Sequence, residues 1–486
     1  MSKQKNMKRI ILLAVFFMAA SLAYSQSGHN HDHSHDHPHD HSHPHSHTHP
    51  HSHVPVDYSF RSDAGQYTPP VPDEDGYIWW KGNLHTHTLW SDGDQFPEVV
   101  TEWYYEHGYH FLALSDHNTL LQGQRWITPY DNHFIERGGG MVVYEIYQER
   151  FGDDWIDTRL DDDGNLEVRL KPLQEVRSLF EQSGRFLMIN SEEITEGQHV
   201  VHVNATNILE YIAPQSGETV EETIRLNMDA VMDQRERTGQ EMLPHLNHPN
   251  FRHAVTAEDM MPVENLRLFE IYNGHRGVVN FGADDGIKHL DRVWDIILTK
   301  RLGELGLDPV YGIAVDDAHH YEESTSDVAR PGRGWVKVRS KFLTPEHIVK
   351  SLESGNFYST NGLTMVKIDS DGQTYTVEVE PEYGVEYTIQ FIGTREGFDS
   401  SSEPYVDEDG EERSDRTRLY SSDIGEVLQE TEGHKATYEF RGDELYVRAK
   451  VISTKPKENY FYEGEVKKAW MQPVIPGHSY GQMIKN

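Results

Sequence analysis

Phe111-Leu112-Ala113-Leu114-Ser115-Asp116-His117 is a run of four apolar residues that passes straight into three polar ones. A short apolar run bounded in this way reads as a strand buried on both faces, which is how a strand of a parallel sheet looks in sequence. The texture returns along the chain. Residues 186–189 lead into Glu192 and Glu193, residues 266–271 into Tyr272, Asn273, Gly274 and His275, and residues 309–315 into Asp316, Asp317, Ala318 and His319. Helical candidates stand between them at 97–107, 173–182 and 220–238. Strands alternating with helices imply a mainly parallel sheet. Polar side chains gathered past the C-terminal ends of such strands are what a β/α barrel site requires.

This alternation fills residues 76–362. After about residue 366 strand-like stretches at 375–379, 386–392, 437–440 and 445–452 are separated by acidic, Gly- and Ser-containing loops, the longest at 394–432. The pattern predicts a small all-β, sandwich-like domain over 363–486, with Trp470 a packed aromatic near its last strand. A length of 486 residues fits one large domain plus a smaller one.

The N-terminal residues read differently. Lys3 to Arg9 is basic, Ile10 to Ala20 apolar, and Ala23 and Ser25 precede Gln26 as small residues, so 1–25 is expected to be a cleaved signal peptide and the protein to be exported, periplasmic or extracellular. The apolar run is too short to span a bilayer comfortably. From His29 to His53 every odd position is histidine, thirteen in all. With prolines at 38, 44 and 50 and nothing to bury, residues 26–75 are expected to be disordered, the histidines a loose binder of divalent metal or a solvated spacer. A net charge of -36 argues against a nucleic-acid partner. The chain has no cysteine, so a metal must be held by nitrogen and oxygen.

Those ligands have a place. His85 and His87 are two apart, so at a strand end they point the same way and can converge on one cation. Asp92 follows, then His117 in Ser115-Asp116-His117, Glu193, His202 in His202-Val203-Asn204, His248 in Asn247-His248-Pro249, and Asp317 with His319. Each lies near the end of a candidate strand. Glu192 competes with Glu193, and His199 with His202. His245, Asp116, Asp316 and His320 neighbour ligands and could orient them.

In this order the motifs resemble the PHP (polymerase and histidinol phosphatase) superfamily over about residues 77–362, and the overall layout is similar to a secreted branch related to CehA/McbA-type metallohydrolases. The resemblance implies an α/β fold, a distorted (β/α)7 PHP barrel followed by the small β domain. It implies one cation on His85, His87, Glu193 and Asp317. Glu193 would bridge to a second held by His202 and His248, and a third would take Asp92, His117 and His319.

Such mixed sites suit two or three divalent ions of Zn, Mn or Fe. The expected activity is hydrolysis of small phosphomonoesters or phosphodiesters through a metal-bound hydroxide, with Glu193, Asp317 and His319 at the reacting centre. Non-reacting phosphate oxygens need cationic holders; the candidates are Arg333 in Pro331-Gly332-Arg333-Gly334-Trp335, Arg125 and His275. The same site would serve a carboxyl-ester or carbamate hydrolase, and a histidine-led zinc scavenger is the non-enzymatic alternative.

Overall fold

The computed structural model describes residues 69–131, 143–322 and 328–482. The expected signal peptide and the histidine tract lie outside the described residues.

Seven strands lie side by side in chain order: β1 (Ile78–Asn83), β2 (Phe111–Leu114), β6 (Leu187–Glu196), β7 (Val201–Thr206), β8 (Leu243–Leu246), β9 (Leu268–Asn273) and β10 (Tyr311–Val315). The pairs β1/β2, β2/β6, β8/β9 and β9/β10 are parallel. Only β7 runs against its neighbours, because a tight turn joins it to β6. The missing numbers belong to an insertion, where β3 (Arg125–Ile127), β4 (Thr158–Leu160) and β5 (Leu166–Leu170) make a separate small sheet in the order β3-β5-β4.

Closure of a barrel is the point on which the expected fold needs correction. The outer edge of β1 is taken by antiparallel β11 (Trp335–Ser340). The far strand β10 therefore reaches the β1 side only past the strand ends, through a Thr86–Ala318 bridge with Asp317 N donating to His85 O and His87 N to Ala318 O, 3.0 Å each. The ladder itself stays open.

Ala113, Ile189, Leu243, Leu268, Ile313 and Val315 form one core along these strands. A second core lies against the helices. It joins Ile224, Met228 and Val231 of the helix Val220–Thr238 to Val293, Trp294, Ile296 and Ile297 of the helix Leu290–Lys300. The first of these helices begins where Thr219 accepts a bond from Glu222 N and ends at Gly239 with φ 71°. An earlier helix, Pro97–Glu106, carries Pro at its first position and Glu98 in its first turn.

The sheet does not stop at β11. It continues through β12 (Phe357–Thr360), β21 (Val466–Met471), β20 (Glu444–Pro456), β15 (Tyr387–Arg395) and β18 (Glu426–Glu432), all antiparallel. A three-stranded sheet, β13 (Met365–Ser370), β14 (Thr374–Val379) and β19 (Lys435–Glu439), shares a core with it through Tyr375, Val377, Ile389, Phe391, Ala449 and Val451. The stretch 394–432, expected to be loop, also contains the short β16 (Ser402–Glu403) and β17 (Leu419–Tyr420). Trp470 lies buried within β21 itself. A buried ion pair ties this region to the helix Leu290–Lys300: Arg448 donates to both oxygens of Asp295 at 2.7 Å, and Tyr446 OH to Asp295 at 2.9 Å. Among the described residues no helix is long and apolar enough to cross a membrane.

Candidate metal centre

The strand ends converge on one buried carboxylate. Glu193 sits inside β6, and since successive strand residues face opposite ways, Glu192 and Glu193 divide the two sides between them. Glu192 turns away and accepts a bond from Ile212 N at 2.6 Å; burial pushes its carboxyl up to about 8. Glu193 faces inward. Its Oε2 lies 3.4 Å from His85 Nε2, 3.4 Å from His87 Nε2 and 2.8 Å from His117 Nδ1. Its Oε1 lies 2.9 Å from His202 Nδ1 and 3.5 Å from His248 Nε2, and accepts from Asn247 Nδ2 at 2.8 Å. Burial alone would raise this carboxyl; His117, His85 and His202 outweigh it and hold the group well below the ordinary range.

Asp317 closes a second side. Its Oδ1 stands 3.3 Å from His85 Nε2 and 3.1 Å from His87 Nε2, which are 3.1 Å from each other. His248 Nε2 lies 4.0 Å from its other oxygen. His248 and Asp317 hold φ of 23° and 48°, strained backbone of the kind that surrounding structure sustains at functional sites.

The third group is the open one. Ligand atoms of His87, Asp92, His117 and His319 lie within 4.8 Å of one another, and the Asp92 and His117 side chains are 48% and 25% exposed. Asp92 reaches this position because the chain turns sharply at Gly93, where a Cβ would stand 2.6 Å from the His87 carbonyl. Burial would lower His319, but Asp92 outweighs it and raises the ring to about 9. His87, fully buried and beside His319 and His117, falls to about 3 and stays neutral.

All nine expected ligands thus meet in one cluster. The neighbours have other work. His199 turns to the Gly217 carbonyl, 3.1 Å away. Asp116 accepts from Thr88 N, Thr88 Oγ1 and Ser91 Oγ, and so pins the loop that carries Asp92. Asp316 accepts from Gly332 N, Arg333 N, Gly334 N and Tyr104 OH. Arg333 is fully buried and donates to Gly274 O at 2.7 Å, which makes it a support of that loop. Arg125 donates to Trp90 O. His275 comes closer, its ring 5.2 Å from that of His319, and burial takes it down to about 4. His320 follows with its ring 6.5 Å from His319.

One participant escapes the strand-end reading. Glu270, in the middle of β9, is fully buried with its Oε1 2.7 Å from His85 Nδ1 and 3.4 Å from His245 Nε2. Burial would raise it; His85 outweighs burial and brings it to about 2. A carboxylate inside an otherwise apolar strand was the available signal.

No protein-family model and no curated protein matches the chain. Two solved structures are similar at 13% identity. One is a two-domain protein containing a predicted PHP-like metal-dependent phosphoesterase from Bacteroides vulgatus, with 84% of this chain and 98% of that one covered and a TM-score of 0.34. The other is a candidate metal-dependent phosphoesterase from Bifidobacterium adolescentis, with 53% and 91% covered and a TM-score of 0.25. Likeness at this level leaves the chemistry to be read from the side chains.

Proposed function

We propose that the chain is a metal-dependent hydrolase of PHP type acting on small phosphomonoesters or phosphodiesters. The observation that carries this reading is the triangle of His85 Nε2, His87 Nε2 and Asp317 Oδ1, with edges of 3.3, 3.1 and 3.1 Å. A tetrahedral cation with bonds of about 2.0 Å has ligand–ligand edges of roughly 3.3 Å. The three atoms therefore have the spacing of one face of such a site, and Glu193 Oε2 approaches both nitrogens at 3.4 Å.

On this proposal His85, His87, Glu193 and Asp317 would hold one cation, Glu193, His202 and His248 a second, and Asp92, His117 and His319 a third. Bound divalent ions would supply Lewis acidity and a water acidic enough to attack at neutral pH. Zn, Mn and Fe all suit such ligands. The chain's own residues then do the rest. Phe251, with its ring 5.0 Å from that of His248 and 6.1 Å from that of His202, walls one side of the cluster. His275 Nδ1 accepts from Gly277 N at 3.0 Å, so its Nε2 keeps the proton and can donate to a substrate oxygen. Arg252, exposed with its guanidinium 5.3 Å from the Phe251 ring, supports an anionic substrate. Export through residues 1–25 belongs to the same proposal.

The test is a panel of aryl phosphates, phosphodiesters and aryl esters, run after chelation and again after Mn or Zn is restored. Activity that survives chelation unchanged would overturn the reading. Turnover of esters alone would keep the hydrolase and exclude the phosphoester.

A further inference from the structure

One buried carboxylate touches two separate ligand-bearing segments. Glu270 Oε1 meets His85 Nδ1 at 2.7 Å, while Oε2 accepts from His248 N at 2.7 Å and from Asn273 Nδ2 at 2.7 Å. Asn273 Nδ2 also donates to Asp317 Oδ2 at 3.0 Å. The side chain is wholly buried, as are His85 and Asn273. None of these contacts uses the face of His85 that looks at His87 and Asp317.

We propose that Glu270 is a positioning residue that sets how His85 and His248 are presented to a cation. This rests on the reading of the cluster as a metal centre. A carboxylate can only accept, so the His85 nitrogen facing it must carry the proton, and Nε2 is left with a lone pair aimed at the cluster. The same group anchors the main chain at His248, where φ is 23°. A backbone in that region is uncommon for a residue with a Cβ and must be held from outside. Through Asn273 the anchoring extends to Asp317. One buried acid on β9, which itself carries no expected ligand, thereby couples ligands from the ends of β1, β8 and β10.

Glu270→Gln separates this role from mere support. If its oxygen keeps the bonds from His248 N and Asn273 Nδ2, its amide donates toward His85 Nδ1 and forces the proton onto Nε2, where it blocks ligation. Chelator-competition titration of the full chain with zinc should show affinity weakened about 10- to 100-fold in Glu270→Gln, the range for residues that orient metal-bound histidines. In the zinc-loaded wild type, ¹⁵N-edited spectra should show a slowly exchanging His85 Nδ1–H, assigned with a His85→Gln control. Glu270→Asp, which keeps the charge, should recover part of the affinity. Wild-type zinc affinity in a folded Glu270→Gln variant, or a His85 proton on Nε2 in the wild type, would overturn the proposal. Should the wild type itself bind no zinc, manganese or iron, the metal-centre reading fails first, and the two failures are distinct.

Discussion

Glu193→Gln is the most informative single change. Asn247 Nδ2 donates to Oε1 at 2.8 Å, so the amide of the variant keeps its oxygen there and places its NH₂ where Oε2 stood. A donor group would then face His85 Nε2 and His87 Nε2 at 3.4 Å and His117 Nδ1 at 2.8 Å. The shape survives, but the negative charge among the imidazoles is gone. Taking the 3.4 Å that separates Oε2 from the two nitrogens as the charge separation, and an effective dielectric of ~20, the lost Coulomb attraction to one unit of positive charge is about 5 kcal/mol. At ~1.4 kcal/mol per decade that is between three and four decades of metal affinity. Metal content after desalting, chelator competition and hydrolysis of an aryl phosphate all read this out. A folded variant with wild-type metal content and turnover within threefold would refute the placing of Glu193 at the centre.

Other outcomes follow from the same geometry. Asp295→Asn should destabilise in urea titration by less than the roughly 3–5 kcal/mol of a wholly uncompensated buried charge, because it removes the closer carboxylate but leaves Asp291 Oδ1 3.3 Å from Arg448; a combined Asp295→Leu, Arg448→Met variant should lose less. Stripping metal should lower Tm, and zinc or manganese at a thousandfold excess over Kd should restore about 4 kcal/mol of stability; a Tm indifferent to both would tell against the centre. Lys457 is buried with Nζ donating to Asn361 O at 2.8 Å, and burial lowers it from its ordinary 10.5 to about 7. Between those values the unfolded chain holds the extra proton, so stability should rise with pH from about 7 toward 10.5. Lys457→Met should flatten that rise in urea titrations across pH 6.5–10.

How much of this could be read beforehand depends on where each residue stands. The helix at 220–238 is legible because its cap, its charged first turn and the closing Gly239 are all local. The cluster residues are legible because each lies near the end of an apolar run, where polar chemistry has no structural reason to recur. Glu270 hides because it sits inside such a run, and burial there looks like a sequence irregularity until His85 is seen beside it. The strand β18 reads as loop, since an edge strand carries charge to discourage further pairing, and Glu426, Glu430 and Glu432 make it polar. The open ladder was unreadable for another reason. Nothing local in β1 announces that its outer edge pairs with β11, which lies beyond all the other strands of the seven.

The pairing of β21 bears on how such a chain is made. Among the described residues it is the last strand in chain order, yet it lies between β12 and β20, not at a border. Until residue 471 has left the ribosome, two facing strand edges stand bare, and such edges invite pairing with other chains. Folding of the sheet is therefore completed only after Met471 has been translated. A stop before Val466 would remove a middle strand and leave a sticky gap, so truncated products should aggregate rather than persist as a smaller folded protein.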